Sequence, residues 1–179
     1  MKKTLLILSL SILFASNAQN QSDMKTPDTT PIENFDLNKY LGKWYEIARF
    51  QHPFEKNLEG VTATYSLKPS GMVNVQNAGY FKSLDGKYKT ASGKAKFAGK
   101  KSTGHLKVSF FLFFYGDYYI MKLDKDYQWA LVGGSTEDYL WILSRSPQLP
   151  EEVYEDLLSE ARKRGYDLSK LHKVEQPLK

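Results

Sequence analysis

Between Lys43 and Arg145 the chain is cut into eight short runs rich in Val, Ile, Thr, Tyr and Phe, separated by turn-forming clusters. Such runs read as strands, and links this short join antiparallel neighbours. A parallel sheet is ruled out, because each of its crossovers needs a dozen or more residues, usually a helix. The strands are expected at Lys43–Phe50, Val61–Lys68, Met72–Phe81, Lys87–Phe97, His105–Leu112, Tyr118–Leu123, Gln128–Gly133 and Tyr139–Arg145. Only the first link, Gln51 to Gly60, is long.

Eight long antiparallel strands must either split into a sandwich or close on themselves, and a meander favours closure because each strand pairs with its sequence neighbour. Closure also removes exposed edges. The expected fold is therefore all-β: an eight-stranded antiparallel up-and-down β-barrel. After it, Pro147 and Pro150 lead into a helix over Glu151–Arg164, where Val153, Leu157 and Ala161 recur every four residues and Gly165 ends it. That C-terminal α-helix is expected to pack outside the barrel.

Strand periodicity of two sorts the residues by face. Val61, Ala63 and Tyr65 share the inner face of their strand; so do Val73, Val75 and Asn77, then Leu106, Val108 and Phe110, with Lys107 and Ser109 outside. In the last strand Tyr139, Trp141 and Leu143 share the face of Arg145. A wall mixing small, medium and aromatic residues with a few polar groups can line an apolar pocket. The same residues can also meet in the middle and fill the barrel, since eight-stranded barrels do both.

At 179 residues and 41% hydrophobic the chain is one ordinary domain with a leader and a tail. The absence of cysteine excludes disulfides, thiolate zinc sites, CxxC redox chemistry, a cysteine nucleophile and a lipid-modified cysteine anchor. Lys2 and Lys3, the apolar run Leu5 to Phe14 and the small residues of Ala15-Ser16-Asn17-Ala18 read as a signal peptide over residues 1–18, cleaved after Ala18. The apolar run is too short to span a bilayer, which takes roughly 20 residues, so the processed protein is expected to be soluble and exported. Residues 19–34, with Pro27 and Pro31 and no periodic apolar pattern, read as a flexible linker, and the folded domain as residues 35–179. The formal charge of +5 loses the contribution of Lys2 and Lys3 on cleavage, which argues against nucleic acid as a partner.

Catalysis finds little support. His52, His105 and His172 are dispersed without metal-ligand spacing, and there is no nucleophile elbow or phosphate loop. No catalytic residue, cofactor or metal is expected. Two surface features stand out instead: the bulky link Leu112-Phe113-Phe114-Tyr115, which with the Gln51–Gly60 link should rim the barrel mouth, and the lysine-rich segment Lys87 to Lys107. Exposed apolar links mark contact sites, and basic segments attract anionic lipid. The alternatives are that the link folds back into the barrel and that the lysines coat a solvated face.

The stretch Asn38-Lys39-Tyr40-Leu41-Gly42-Lys43-Trp44-Tyr45-Glu46-Ile47-Ala48-Arg49-Phe50 resembles the Gly-x-Trp opening of the lipocalins. Further matching blocks, in family order, are Val61 to Leu67, Leu106 to Phe111, Leu123 to Tyr127 followed by Ala130-Leu131-Val132, and Asp138 to Pro147. The branch they resemble is that of the bacterial outer-membrane lipocalins and apolipoprotein D. The resemblance implies a barrel closed at one end by Gly42, Trp44 and Arg145, the guanidinium stacked on the indole, with a ligand cavity open at the other end. It implies ligand-binding positions at Ala63, Tyr65, Val75, Asn77, Phe110, Tyr118, Trp141 and Leu143. Peripheral contact with anionic membrane is expected through the lysine-rich segment Lys87 to Lys107; the resemblance further implies residence in the periplasm or association with the outer membrane and a small hydrophobic ligand, a fatty acid or lysophospholipid, transported or stored for envelope maintenance. The alternatives are a lipid-modifying enzyme using the same cavity and an envelope interaction protein that binds no ligand. Two departures from the branch are plain. Its bacterial members usually carry a cysteine at the cleavage site and this chain has none, and the family Thr-Asp-Tyr pattern stands here as Leu123-Asp124-Lys125.

Overall fold

The computed structural model describes residues 26–53 and 55–177. The expected signal peptide (residues 1–18), the start of the linker and Phe54 lie outside the described residues.

The elements run α1 (Leu37–Tyr40), β1 (Gly42–Phe50), β2 (Leu58–Leu67), β3 (Val73–Phe81), β4 (Tyr88–Phe97), β5 (His105–Phe111), β6 (Phe114–Leu123), β7 (Trp129–Gly134), β8 (Leu140–Ser144), α2 (Glu151–Lys163), a 3-10 turn (Leu168–Lys170) and β9 (Leu171–Lys173). Strands β1 to β8 pair antiparallel in sequence order. β1 closes the ring, meeting β2 from Gly42↔Tyr65 to Tyr45↔Thr62 and β8 from Tyr45↔Ser144 to Arg49↔Trp141. The fold is a closed eight-stranded antiparallel barrel with one long helix outside, as the meander pattern predicts.

Two apolar clusters result from the alternation of faces. Inside lie Phe35, Tyr40, Trp44, Tyr65, Val73, Val75, Ala95, Leu106, Tyr118, Ile120, Val132 and Leu143. Outside, Ile47, Phe50, Met121, Leu131, Leu140 and Ile142 pack against Tyr154, Leu157, Ala161 and Tyr166. The helix thus buries Tyr154, Leu157 and Ala161, while Val153, expected on that face, is half-buried.

The structure departs from the sequence-based expectation in four places. A ninth strand, β9, pairs with the end of β1 through Ala48↔Lys173, Arg49↔His172 and Phe50↔Leu171; three residues are too few to show a period. β6 begins at Phe114 rather than Tyr118, so the β5–β6 turn is Leu112-Phe113 and Tyr115-Gly116-Asp117, which has turn composition, lies within the strand. A register shift between Val108 and Phe111 breaks the alternation in β5, leaving Ser109 buried and Phe110 and Phe111 exposed. Finally, residues 26–34 are tied to the barrel although they read as linker. Ile32 N–H donates to the Ile120 carbonyl and Gly104 N–H to the Ile32 carbonyl, each at 2.9 Å, and Asp28 N–H donates to the Arg164 carbonyl at 2.8 Å. Gly104 admits this crossing, since a Cβ there would meet Ile32 and Ile120 at 2.9 Å. Lack of periodicity signals lack of a regular element, not lack of backbone partners.

Candidate functional site

Strand direction places Gly42, Leu67, Val73 and Ser144 at one end of the barrel and Phe50, Leu58, Phe81, Phe111, Phe114 and Leu140 at the other. The first end is closed. There α1, capped by the Asp36 carboxylate accepting from Asn38 N–H, sets Tyr40 over Trp44 with ring centroids 4.7 Å apart. Trp44 is fully buried and its Nε1–H donates to the Tyr40 carbonyl at 2.8 Å. The Arg145 guanidinium lies 3.9 Å from the Trp44 ring centroid and donates to the carbonyls of Lys39, Tyr40, Leu41, Lys43 and Tyr127. Gly42, at φ +95°, turns the chain from α1 into β1 beside that guanidinium. At the neighbouring turn the Asp124 carboxylate accepts from the N–H groups of Asp126 and Gln128, which makes Asp124 a turn residue.

Above this floor three tyrosines join. The Tyr118 hydroxyl is 2.8 Å from that of Tyr40 and 3.0 Å from that of Tyr65, all buried. Burial pushes all three phenols up from their ordinary value, so they stand neutral inside the barrel. Around and above them the wall is apolar: Val75 and Leu143 are buried, with Ala63 and Val108 packed against the same cluster.

The open end carries a buried polar cluster. The link after β1 folds inward and sets the Glu55 carboxylate where it accepts from Asn77 Nδ2 at 3.0 Å and from Trp141 Nε1 at 3.1 Å, with His52 Nε2 at 2.9 Å. Burial alone would raise the Glu55 carboxyl, but hydrogen bonds from His52 and Trp141 and the nearby Arg49 charge outweigh it and hold it below the ordinary carboxylate value. Arg49, fully buried, donates to Glu46 Oε1 at 2.7 Å and to the carbonyls of Glu55 and Leu58. Burial, then the Glu55 charge, pushes the Glu46 carboxyl well up, against the opposing pull of Arg49. The ring of His52 sits 5.2 Å from that of Tyr139 and 5.4 Å from that of Trp141. Beside it, a solvent-open hollow of about 520 Å³ is bounded by Phe50, Gln51, His52, Pro53, Thr136, Asp138, Tyr139 and Lys170. Asn77 Oδ1 is buried with no hydrogen-bond partner among the described residues.

Seven of the eight expected ligand positions therefore converge. Ala63, Tyr65, Val75, Tyr118, Trp141 and Leu143 share the inner cluster, and Asn77 joins Trp141 through Glu55. Phe110 lies apart at the rim, 43% exposed and over Gly93. Sequence reasoning passed over Arg49 and Glu55. A trace existed in β1, where Glu46 and Arg49 are two opposite charges within the apolar run Trp44–Phe50; Glu55 sits in a link whose inward fold no local pattern announces. Among the described residues no group of three or more His, Asp or Glu could hold a metal ion, and no helix is long and apolar enough to cross a membrane.

Residues 35–176 match the lipocalin-like domain family. The chain is 51% identical over 148 residues to the outer membrane lipoprotein Blc of Escherichia coli (strain K12), covering 83% of each chain. It is 34% identical over 179 residues to apolipoprotein D of Mus musculus, covering 95% of this chain and 93% of that one. Among solved structures, insecticyanin of the tobacco hornworm Manduca sexta superposes with a TM-score of 0.68 at 22% identity, covering 84% of this chain and 86% of that one. With the barrel, the Trp44–Arg145 floor and these likenesses together, the chain belongs to the lipocalins.

Proposed function

We propose that this lipocalin binds a small hydrophobic ligand, a fatty acid or lysophospholipid, within its barrel, and that it transports or stores that lipid for envelope maintenance rather than catalysing a reaction on it. The observation that carries the reading is the inner face of the barrel: an apolar wall of Ala63, Val75 and Leu143, with linked tyrosine hydroxyls beside it and a buried polar cluster at the mouth. A hydrocarbon tail suits the first and a head group the last. Burying about ten methylenes at about 0.8 kcal/mol each gains on the order of 8 kcal/mol, which sets a ceiling near micromolar affinity from the tail alone once the costs of association are set against it. At the mouth, the buried Asn77 Oδ1 can accept from a hydroxyl; the glycerol of a lysophospholipid offers one and an ionised fatty acid does not.

Likeness to an outer membrane lipoprotein supports placement in the envelope after export. With no cysteine in the chain, attachment is proposed to be peripheral, through contact with anionic membrane. A second reading, a barrel filled by its own side chains, draws support from the Tyr118 and Trp141 rings lying 6.4 Å apart. Titration with a fatty acid and with a lysophospholipid, read by tryptophan fluorescence, decides between them. Saturable binding that weakens at least about tenfold in Ala63→Trp, with melting retained, supports the carrier; absence of binding by the wild type supports the filled barrel.

A further inference from the structure

The β5–β6 hairpin breaks the rules of a soluble surface in two ways at once. Phe111, Phe113 and Phe114 are 68%, 75% and 69% exposed, and Leu112 between them is 58% exposed. Five consecutive bulky apolar residues, Phe110 to Phe114, thus stand in water, a contiguous patch of the kind that marks a contact surface. The turn itself is strained as well: Leu112 has φ +49°, a left-handed conformation that a branched side chain adopts only when something enforces it. Phe111 pairs with Phe114 across this turn and their rings stack at 6.4 Å. The tip projects beyond the last pairs made with its neighbours, Lys94↔Ser109 on one side and Tyr118↔Gly134 on the other.

Next to it at the same end stands the β3–β4 hairpin, with exposed Lys82, Lys87 and Lys89 against the single acid Asp85, and with Tyr88 56% exposed. Lys89 Nζ lies 3.9 Å from the Phe81 ring centroid, and Lys94 Nζ lies 5.7 Å from that of Tyr115. An aromatic ridge flanked by lysines complements a bilayer with anionic head groups: the rings enter the interfacial layer and the ammonium groups meet the phosphates.

We propose that the Phe110–Phe114 ridge inserts into an anionic lipid surface and, with Lys82, Lys87 and Lys89, docks the barrel mouth-first on the membrane. The inference takes its choice of partner from the lipid-binding reading and names the residues of the membrane contact, yet docking is measured on vesicles whether or not the cavity takes a ligand, so each can fail without the other.

The test is flotation of the protein, recovered after export, with vesicles of phosphatidylglycerol and phosphatidylethanolamine, and with phosphatidylcholine vesicles as neutral control. The double variant Phe113→Ser, Phe114→Ser is expected to lose about tenfold or more of the vesicle partitioning while keeping its melting temperature, since both rings are largely exposed and their ring contacts are with each other and with the equally exposed Phe111. The variant Lys87→Ser, Lys89→Ser is expected to lose about tenfold on anionic vesicles and little on neutral ones, and added salt is expected to reproduce that loss. Three outcomes overturn the proposal: wild type and aromatic variant floating equally, neither floating, or the aromatic variant converting a dimer to a monomer without any change on vesicles. The last would make the ridge a contact between copies of this chain.

Discussion

Arg145 and Trp44 hold the closed end together, and the cost of removing either can be argued atom by atom. Trp44→Ala removes a fully buried indole and is expected to destabilise the fold by about 3–5 kcal/mol, read as a large drop in the thermal midpoint. An unchanged midpoint would contradict the placement of Trp44 at the floor. The cation–π contact is worth about 0.5–2 kcal/mol of this. The three linked tyrosines predict how stability depends on pH. Their folded values are raised above the unfolded value of about 10, so the stability they contribute is complete below that pH and is lost as pH rises through their folded values. Ultraviolet difference titration should show Tyr40, Tyr65 and Tyr118 ionising only as the chain unfolds at alkaline pH. Early ionisation of the full complement of tyrosines, with the fold intact, would contradict the buried network. Tyr118→Phe leaves the other two hydroxyls without their shared partner and is expected to cost about 1–3 kcal/mol.

β9 shows what an element of three residues can do. β1 pairs with β2 only over its first half, and the segment after Lys170 fills the seam where the two strands part. Val174 N–H donates to the Ile47 carbonyl, Gly60 N–H to the Glu175 carbonyl, and the Gln176 side chain to the carbonyls of Glu46 and Val61. His172 and the Glu175 N–H both meet the Glu59 carboxylate. Truncation after Lys170 removes these six bonds beside the mouth cluster, with an expected cost on the order of 3–9 kcal/mol at about 0.5–1.5 kcal/mol per bond. Hydrogen exchange should quicken first in residues 46–50 and 58–61; exchange that speeds evenly over the barrel would contradict a local role. The long strands and α2 were legible because their periods of two and of nearly four run over many residues. β9 and the turn at Leu112-Phe113 were not. The first owes its form to a gap between other strands, and the second places Leu112, at φ +49°, where turn chemistry would place Gly or Asn. In the site the wall from Ala63 to Leu143 followed from alternation, whereas Glu55 depends on how a link folds, which no local pattern encodes.

The whole molecule is a ring of strands with its chemistry sorted by end and by side: a floor sealed by Trp44 and Arg145, an apolar inner wall, a mouth polarised by Glu46, Arg49, His52 and Glu55, and an aromatic ridge on the rim. Each part joins residues that are far apart in the sequence, so their convergence is a property of the closed barrel and of no single segment. The account stands on that barrel sheltering a lipid. Native mass spectrometry of the protein, isolated from its own cells without detergent, tests this most directly. The account predicts a second species heavier by the mass of one fatty acid or lysophospholipid, stripped by organic extraction and restored when that lipid is added back. A single bare mass, unchanged after incubation with either lipid, would contradict it.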